Sequence, residues 1–260
     1  MARENKNPQK WPNVIWLVRH GESAGNIARD QAEAQGDLYI NLAHREIDVP
    51  LSQLGERQAI ALGKWFATLP DKQKPTVILT SPYLRARETT NLVLANSSID
   101  IKDISFVIDE RLREKEFGIF DRLTKNGAHQ LYPEQAETRT LLGKFYYRPP
   151  GGESWCDVIL RLRSVIDTIT REYRRERVLI VAHQVIVNCF RYLFERLSEE
   201  QILADDRKED IANCSVTAYE FDRTLGKKGK LALRLYNSIS HLKEAGEPVT
   251  TKKDIPIAPK

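Results

Sequence analysis

Three short apolar runs constrain the fold more than any other feature of this 260-residue sequence. They cover residues 14–18, 77–79 and 178–182, and each is continuous rather than alternating between apolar and polar positions. A continuous run is typical of a strand that is covered on both faces, as in a parallel sheet. Because helices must cover both faces of such a sheet, we expect amphipathic helices between the strands.

Amphipathic helical patterns do separate these runs. Residues 52–69 place apolar side chains on one stripe, and residues 154–174 keep a spacing of three and four throughout. The second of these segments begins with Ser154 and Asp157, a pair that resembles a capping box with Asp in place of Glu. A further helix is predicted to begin at Ser81, with the hydroxyl as its cap and the following proline in the first turn.

Two later apolar segments, residues 216–221 and 231–236, are predicted to form two more strands joined by a turn. Strands that alternate with helices predict an α/β protein, specifically a three-layer α/β/α sandwich with a mainly parallel central sheet. We expect one domain over residues 12–243. Residues 1–11 are interpreted as a flexible leader, and residues 244–260 as a flexible tail with a polar, proline-containing composition.

Composition and charge argue against several classes of partner. The net charge of +4 is small and spread along the chain, and no basic face interleaved with aromatic residues is visible, so no nucleic acid is expected. The first apolar run is too short for a signal peptide or a membrane span, so no membrane partner is expected. Three scattered cysteines match no ligand spacing and predict a reduced, cytoplasmic protein. The sequence leaves open whether the protein forms a homo-oligomer.

Chemically useful side chains follow the three apolar runs. The first run leads into Arg19 and His20, the second is followed one helical turn later by Arg85, and the third leads into His183 and Gln184. Ligands of open parallel sheets bind beyond the carboxyl ends of the strands. The sequence therefore predicts that two histidines and two arginines gather at one edge of the sheet.

These residue types together suit phosphoryl transfer. A neutral imidazole is a competent nucleophile near neutral pH and forms a phosphoramidate that water can open. Arginine donates two parallel hydrogen bonds to phosphoryl oxygens and stays charged. Ser23 and Asn26 could add donors at a helix N-terminus, where free amides favour an anion; alternatively, they only cap that helix. This set lacks an acid to protonate the leaving oxygen.

Residues 17–23 (Leu-Val-Arg-His-Gly-Glu-Ser) resemble the signature of the histidine phosphatase superfamily, in its phosphoglycerate mutase-like branch 1. Four further segments are similar to motifs of that family and occur in the expected order. They are residues 51–59, 81–89, 112–118 and 150–154, the last reading Pro-Gly-Gly-Glu-Ser. An isolated Arg-His-Gly sequence would be weak evidence for this family, whereas five of its motifs in the expected order are specific evidence.

The resemblance implies a role for five residues. His20 would be phosphorylated, and Arg19, Arg85 and His183 would hold the phosphoryl oxygens. Glu114 would be the general acid that later acts as a base. The resemblance also implies a small phosphorylated substrate and a reaction that needs no metal or cofactor.

Departures from the family pattern favour a phosphatase. Gln184 follows the second histidine where glycine is usual, which is similar to the fructose-2,6-bisphosphatase branch, but Asn188 stands where that branch would place an arginine. The stretches that mutases use to hold a bisphosphate are not recognisable. We therefore predict a metal-independent phosphomonoester hydrolase. A phosphoglycerate mutase and, less favoured, a non-catalytic phosphate-binding module are the alternatives.

The contacts that would select the substrate are harder to predict. Gln184 and Arg148 are predicted to bind substrate, although Arg148 could equally be a surface residue. The segment 27–50 is longer than in the mutases and is expected to shape the substrate pocket.

Overall fold

A six-stranded sheet forms the centre of residues 9–251, the part of the chain that the computed structural model describes. Its strand order is β3-β2-β4-β1-β5-β6. The first four strands in this order run parallel, and the last two are antiparallel to their neighbours. The strands are β1 (Val14–Arg19), β2 (Val77–Thr80), β3 (Ser105–Ile108), β4 (Arg177–Ala182), β5 (Val216–Asp222) and β6 (Lys230–Ser238).

Helices cover both faces of this sheet. On one face lie α2 (Gln53–Thr68) and α3 (Leu84–Asn96), and on the other α6 (Trp155–Glu172) and α7 (Gln184–Glu195). The remaining helices are α1 (Ala24–Gln35), α4 (Lys125–Leu131), α5 (Pro133–Tyr146), α8 (Glu199–Lys208) and α9 (Ser240–Glu244). None of the helices in residues 9–251 is both long and apolar enough to span a bilayer.

Strand β1 shows why its apolar run is continuous. Ile15 and Leu17 pack into the core on the α6 and α7 side, whereas Trp16 and Val18 pack into the core on the α2 and α3 side. All four side chains are buried. Successive residues of a strand point to opposite faces, so both sets must be apolar when both faces are covered. The predicted three-layer α/β/α sandwich is confirmed.

The predicted helices over 52–69 and 154–174 are confirmed within two residues, but the helix predicted from Ser81 begins later. Helix α3 starts at Leu84. The Ser81 hydroxyl lies 2.7 Å from Nε2 of His183 and also accepts the backbone N–H of Tyr83. Its cap role is therefore wrong, because the site at the sheet edge uses this hydroxyl.

Strand β3 was not predicted from the sequence. It has four residues, pairs only with β2 and exposes most of its side chains. Phe106 and Ile108 are 40% and 46% exposed. An edge strand of this kind lacks the buried apolar run that marks the central strands.

Two segments predicted to lie outside the domain make contacts with it. Trp11 packs edge-on against Phe194, with ring centroids 5.9 Å apart. Near the other end, Glu247 pairs with Arg57, and Thr250 donates to Asn213 at 3.0 Å. Within residues 9–251 the packed structure thus extends beyond the predicted limits of 12 and 243. The rest of the predicted leader and tail lies outside the described residues.

Candidate active site

The parallel pairing of the central strands brings the two histidines together. Arg19, the last residue of β1, stands opposite Ala182, the last residue of β4. The next residue of each chain segment is a histidine, and the ring centroids of His20 and His183 are 5.2 Å apart. Both rings are buried. The predicted convergence at the carboxyl edge therefore follows directly from strand register.

The hydrogen bonds of His20 define which nitrogen can react. Its Nδ1 lies 2.7 Å from the carbonyl oxygen of Gly21, and a carbonyl can only accept, so Nδ1 carries the proton. In a neutral ring Nε2 then holds a lone pair, and this atom accepts the Nε–H of Arg85 at 3.2 Å. The arrangement points the lone pair of Nε2 at a cationic group.

The surroundings of His20 keep its ring uncharged. Burial lowers the pKa of His20 well below its usual value, and the charges of Arg85 and Arg19 lower it further. An imidazole with this pKa is neutral at physiological pH. The lowered pKa extends the neutral form of the ring, and with it the lone pair, to more acidic pH than an ordinary histidine allows.

Arg19 is held in place from behind. Its side chain is buried, and Nη1 donates to Oε1 of Gln184 at 2.9 Å and to the carbonyl oxygen of Ile211. Gln184 does not line the pocket but orients an arginine that does. The predicted importance of Gln184 is thus indirect in this structure.

Arg85 uses its whole guanidinium group. Besides the bond from Nε to His20, Nη1 donates to the backbone carbonyl of Glu46 and Nη2 to its carboxylate, both at 2.8 Å. Arg85 is 4% exposed. Glu46 lies in the long segment 27–50 and was not singled out by the sequence.

His183 and Glu114 complete the ring around the site. Nε2 of His183 meets the Ser81 hydroxyl, whereas Nδ1 is buried without a hydrogen-bond partner in the described residues and lies 4.0 Å from the carboxylate of Glu114. Burial lowers the pKa of His183 well below its usual value, with Arg85 as the next cause. Glu114 is 5% exposed and accepts the backbone N–H of Lys115 at 2.7 Å.

A buried ion-pair network fixes the loop that carries Glu114. Arg161 of α6 is held by the carboxylate of Glu153 at 2.9 and 3.0 Å. It donates to the backbone carbonyls of Arg111 and Glu114. Glu153 also accepts from the backbone of Glu116. Although burial alone would raise the pKa of Glu153, the hydrogen bonds from Arg161 hold it below its usual value.

The loop after β1 approaches another backbone closely. A Cβ atom on Gly21 would lie 2.5 Å from the carbonyl oxygen of Gly55, and one on Gly55 would lie 1.9 Å from that of Glu22. Only glycine allows this contact. It seats the loop against the start of α2 and so fixes the backbone next to His20.

Ser23 and Asn26 both cap a helix and line the pocket. The Ser23 side chain accepts the backbone N–H of Asn26, and Asn26 Oδ1 accepts from the backbone and hydroxyl of Ser23. This is a reciprocal capping box at the start of α1. Both side chains also border the pocket. The two interpretations of the sequence are therefore compatible.

The pocket encloses about 550 Å³ counted out to its open mouth. Its charged lining consists of four arginines and three carboxylates: Arg19, Arg29, Arg85, Arg122, Glu46, Glu114 and Asp121. Arg148 is not among the lining residues. It is exposed and pairs with Asp157, so its predicted place in the site is wrong in this structure.

Three of these lining residues, Arg29, Glu46 and Asp121, were missed because none of them follows a strand end or belongs to one of the five motifs. Arg29 lies in helix α1 and, like Glu46, belongs to the long segment 27–50, whereas Asp121 follows the segment that carries Glu114. Arg122 donates to the backbone carbonyls of Leu42 and His44, which ties the two loops together. The unusual length of segment 27–50 was the one feature of the sequence that indicated further pocket residues.

A central parallel sheet that ends in buried histidines and arginines around one small pocket is the arrangement of an α/β phosphoryl-transfer protein. The chain belongs to the histidine phosphatase superfamily (branch 1), whose sequence profile matches residues 15–232. This confirms the resemblance that the five motifs indicated.

Individual relatives support both phosphatases and mutases. The chain is 29% identical over 248 residues to a 6-phosphofructo-2-kinase/fructose-2,6-bisphosphatase of Caenorhabditis elegans, covering 95% of this chain but 45% of that protein. It is 31% identical over 212 residues to a 2,3-bisphosphoglycerate-dependent phosphoglycerate mutase 2 of Gloeobacter violaceus, covering 80% and 85%. The solved structure of Bacillus stearothermophilus YhfR superposes with a TM-score of 0.68 at 27% identity, covering 88% of this chain and 98% of the other.

Proposed function

We propose that this protein hydrolyses phosphate monoesters through a phosphohistidine formed on Nε2 of His20. The observation that carries the proposal is the orientation of the His20 ring. Its Nδ1 is committed to the carbonyl of Gly21, so Nε2 presents its lone pair to Arg85. Family membership supports phosphatase or mutase activity.

In the first step, the lone pair of Nε2 attacks phosphorus while the bond from phosphorus to the ester oxygen breaks. Arg85 releases its hydrogen bond to His20 and donates to the phosphoryl oxygens, together with Arg19 and Nδ1 of His183. Glu114 gives its proton to the departing oxygen, which leaves as an alcohol. Asn26 adds the N–H donors of its side-chain amide at the start of α1, since the donors of Ser23 are already committed to Asn26 Oδ1.

In the second step, the ionised carboxylate of Glu114 takes a proton from water. The resulting hydroxide attacks phosphorus, and the phosphorus–nitrogen bond breaks. Inorganic phosphate leaves, Glu114 is protonated again and His20 regains its lone pair. No step requires a metal ion, since the arginines and histidines supply the charge and the donors.

The proposal is tested with a generic aryl phosphate in the presence of a strong chelator. We expect phosphate release that resists the chelator and is lost in His20→Ala, with His129→Ala as control because His129 is an exposed histidine in α4. Rapid quenching should trap an acid-labile phosphoryl group on wild type and not on His20→Ala. Activity that the chelator abolishes, or equal activity in both variants, contradicts the mechanism. Substrate binding without a trapped phosphoryl group would favour a non-catalytic phosphate-binding module.

A mutase is the second candidate, favoured by the 31% identity to the Gloeobacter violaceus mutase over most of that protein's length. A mutase returns the phosphoryl group from His20 to a second hydroxyl of the bound product instead of to water. The two activities separate when isomerisation of a phosphoglycerate and release of phosphate are measured in the same reaction. If the rate of isomerisation exceeds the rate of phosphate release, the protein is a mutase rather than a hydrolase.

A further inference from the structure

Glu46 places a carboxylate inside the pocket that is proposed to receive the phosphoryl group. It holds the Nη1 and Nη2 donors of Arg85 through its own carbonyl and carboxylate, and its side chain is 33% exposed. Asp121 also lines the pocket and is a second carboxylate with no part in the proposed chemistry. A pocket that only needed to attract anions would carry neither.

When a phosphate monoester is bound, its formal charge and those of the side chains that line the described pocket sum to zero. Four arginines face three carboxylates, one of which, Glu114, is protonated in its proposed role as acid. A phosphoryl dianion together with the two remaining carboxylates, Glu46 and Asp121, then matches the four positive charges. An ester whose alcohol portion carries another negative charge would exceed that balance beside two carboxylates. An uncharged alcohol portion would not.

The two carboxylates also suit hydroxyl groups. An ionised carboxylate is purely an acceptor of hydrogen bonds and has about four lone-pair sites. The carboxylate of Glu46 accepts one bond from Arg85, which leaves acceptor capacity toward the pocket. The hydroxyls of a polyol or sugar can donate to such sites, whereas a carboxylate or a second phosphate cannot.

We propose that Glu46 is a specificity-determining residue that selects phosphate esters of uncharged, hydroxyl-rich alcohols and disfavours esters whose alcohol portion is anionic. Asp121 adds to this selection as the other carboxylate of the pocket lining that the chemistry does not use. The inference rests on the proposed phosphomonoesterase function and names its substrate class.

A matched pair of substrates tests the inference. Glycerol 3-phosphate and 3-phosphoglycerate share a three-carbon skeleton and a phosphoryl group, and differ mainly in a hydroxymethyl group in place of a carboxylate. We expect kcat/KM of wild type to favour glycerol 3-phosphate by about tenfold or more, because a like charge placed beside a partly buried carboxylate is strongly unfavourable.

Glu46→Gln removes the charge but keeps an oxygen that can accept from Arg85. It should raise kcat/KM for 3-phosphoglycerate and so narrow the preference by about tenfold. Asp48→Asn is the matched control, since Asp48 lies in the same short helical turn, pairs with Arg45 and does not line the pocket. It makes the same charge change and should leave the preference unaltered.

A binding measurement separates this inference from the proposed function. Dissociation constants of both esters are measured by calorimetry in His20→Ala, with and without Glu46→Gln. Tighter binding of glycerol 3-phosphate that becomes equal binding with Glu46→Gln supports the selection, whether or not wild type turns over either ester. Absence of turnover in wild type would overturn the proposed function alone. An unchanged preference in Glu46→Gln, an equal effect of Asp48→Asn, or no binding of either ester would overturn the inference.

Discussion

Arg85 donates the hydrogen of its Nε to Nε2 of His20 across 3.2 Å, while its other two nitrogens are held by Glu46. The same guanidinium thus touches the proposed nucleophile and the carboxylate proposed to select the substrate. Its charge is also the second cause, after burial, of the lowered pKa of His20. In the proposed mechanism, Arg85 links activation of the nucleophile to binding of the phosphoryl group.

We expect Arg85→Lys to lower kcat/KM for an aryl phosphate by about 100-fold or more, as is usual when one donor to a developing charge is lost. Lysine keeps the positive charge but cannot replace the planar fork that contacts His20 and Glu46 together. Arg87→Lys is the control, because Arg87 lies on the same helix and is exposed. If the two variants have equal steady-state kinetics, Arg85 does not contact the phosphoryl group as proposed.

The proposed role of Glu114 predicts a dependence on the leaving group. Glu114→Gln should lower kcat/KM for an alkyl phosphate by about 10² to 10⁴, since a poor leaving group needs a proton in the transition state. For an aryl phosphate whose leaving group is an acidic phenol, Glu114→Gln should lower kcat/KM much less. The control is Glu110→Gln, an exposed glutamate four residues earlier. A loss of the same size for both esters would show that Glu114 is not the acid.

Arg161 is predicted to act as a positioning residue for Glu114. It donates to the carbonyl of Glu114 while Glu153 holds its guanidinium, so Arg161→Met should let the loop move and misplace the acid. We expect kcat for an alkyl phosphate to fall by about tenfold or more while kcat for an acidic aryl phosphate changes little.

Two further variants separate positioning by Arg161 from general destabilisation. Arg163→Met alters an exposed arginine on the same helix and should behave as wild type. Arg161→Lys should recover part of the alkyl phosphate activity, because it retains a donor. If Arg161→Met lowers kcat for both esters equally, the residue supports the fold rather than the acid.

The part of the site that the sequence could predict comes from strand ends. The carboxyl ends of parallel strands meet at one edge of a sheet, so Arg19, His20 and His183 had to meet once the parallel order was assumed. Arg85, one helical turn beyond the end of the second run, was placed there by the same argument, whereas Glu114 was supplied by the motif resemblance alone. The structure brings all five to one place.

The part that the sequence could not predict depends on loops that meet only in the folded chain. Glu46 reaches Arg85 because the segment after α1 packs onto the site, and Arg122 ties that segment to a second loop through the carbonyls of Leu42 and His44. Arg148 was predicted to bind substrate but lies outside the pocket, because its guanidinium pairs with Asp157, nine residues later. Nothing in local spacing distinguishes a pocket arginine from a paired surface arginine.

His241 provides a prediction about stability that is independent of the site. It is 3% exposed beside Trp65, and burial lowers its pKa to about 4 from 6.5. Between these values the unfolded chain binds a proton that the folded protein does not, so acid favours unfolding. The contribution of His241 to the free energy of unfolding is therefore complete above 6.5 and is lost as the pH falls toward 4.

Each pH unit in that range costs about 1.4 kcal/mol for one such group, so from about pH 7 to about pH 5 the loss assigned to His241 is about 2 kcal/mol. Urea unfolding of wild type and His241→Gln at both pH values measures it. The variant should be less sensitive to acid by this amount, because His20 and His183 titrate alike in both proteins and cancel. His44→Gln, which changes an exposed histidine, should keep the wild-type dependence. Parallel pH dependences for wild type and His241→Gln would mean that His241 is protonated equally in the folded and unfolded states.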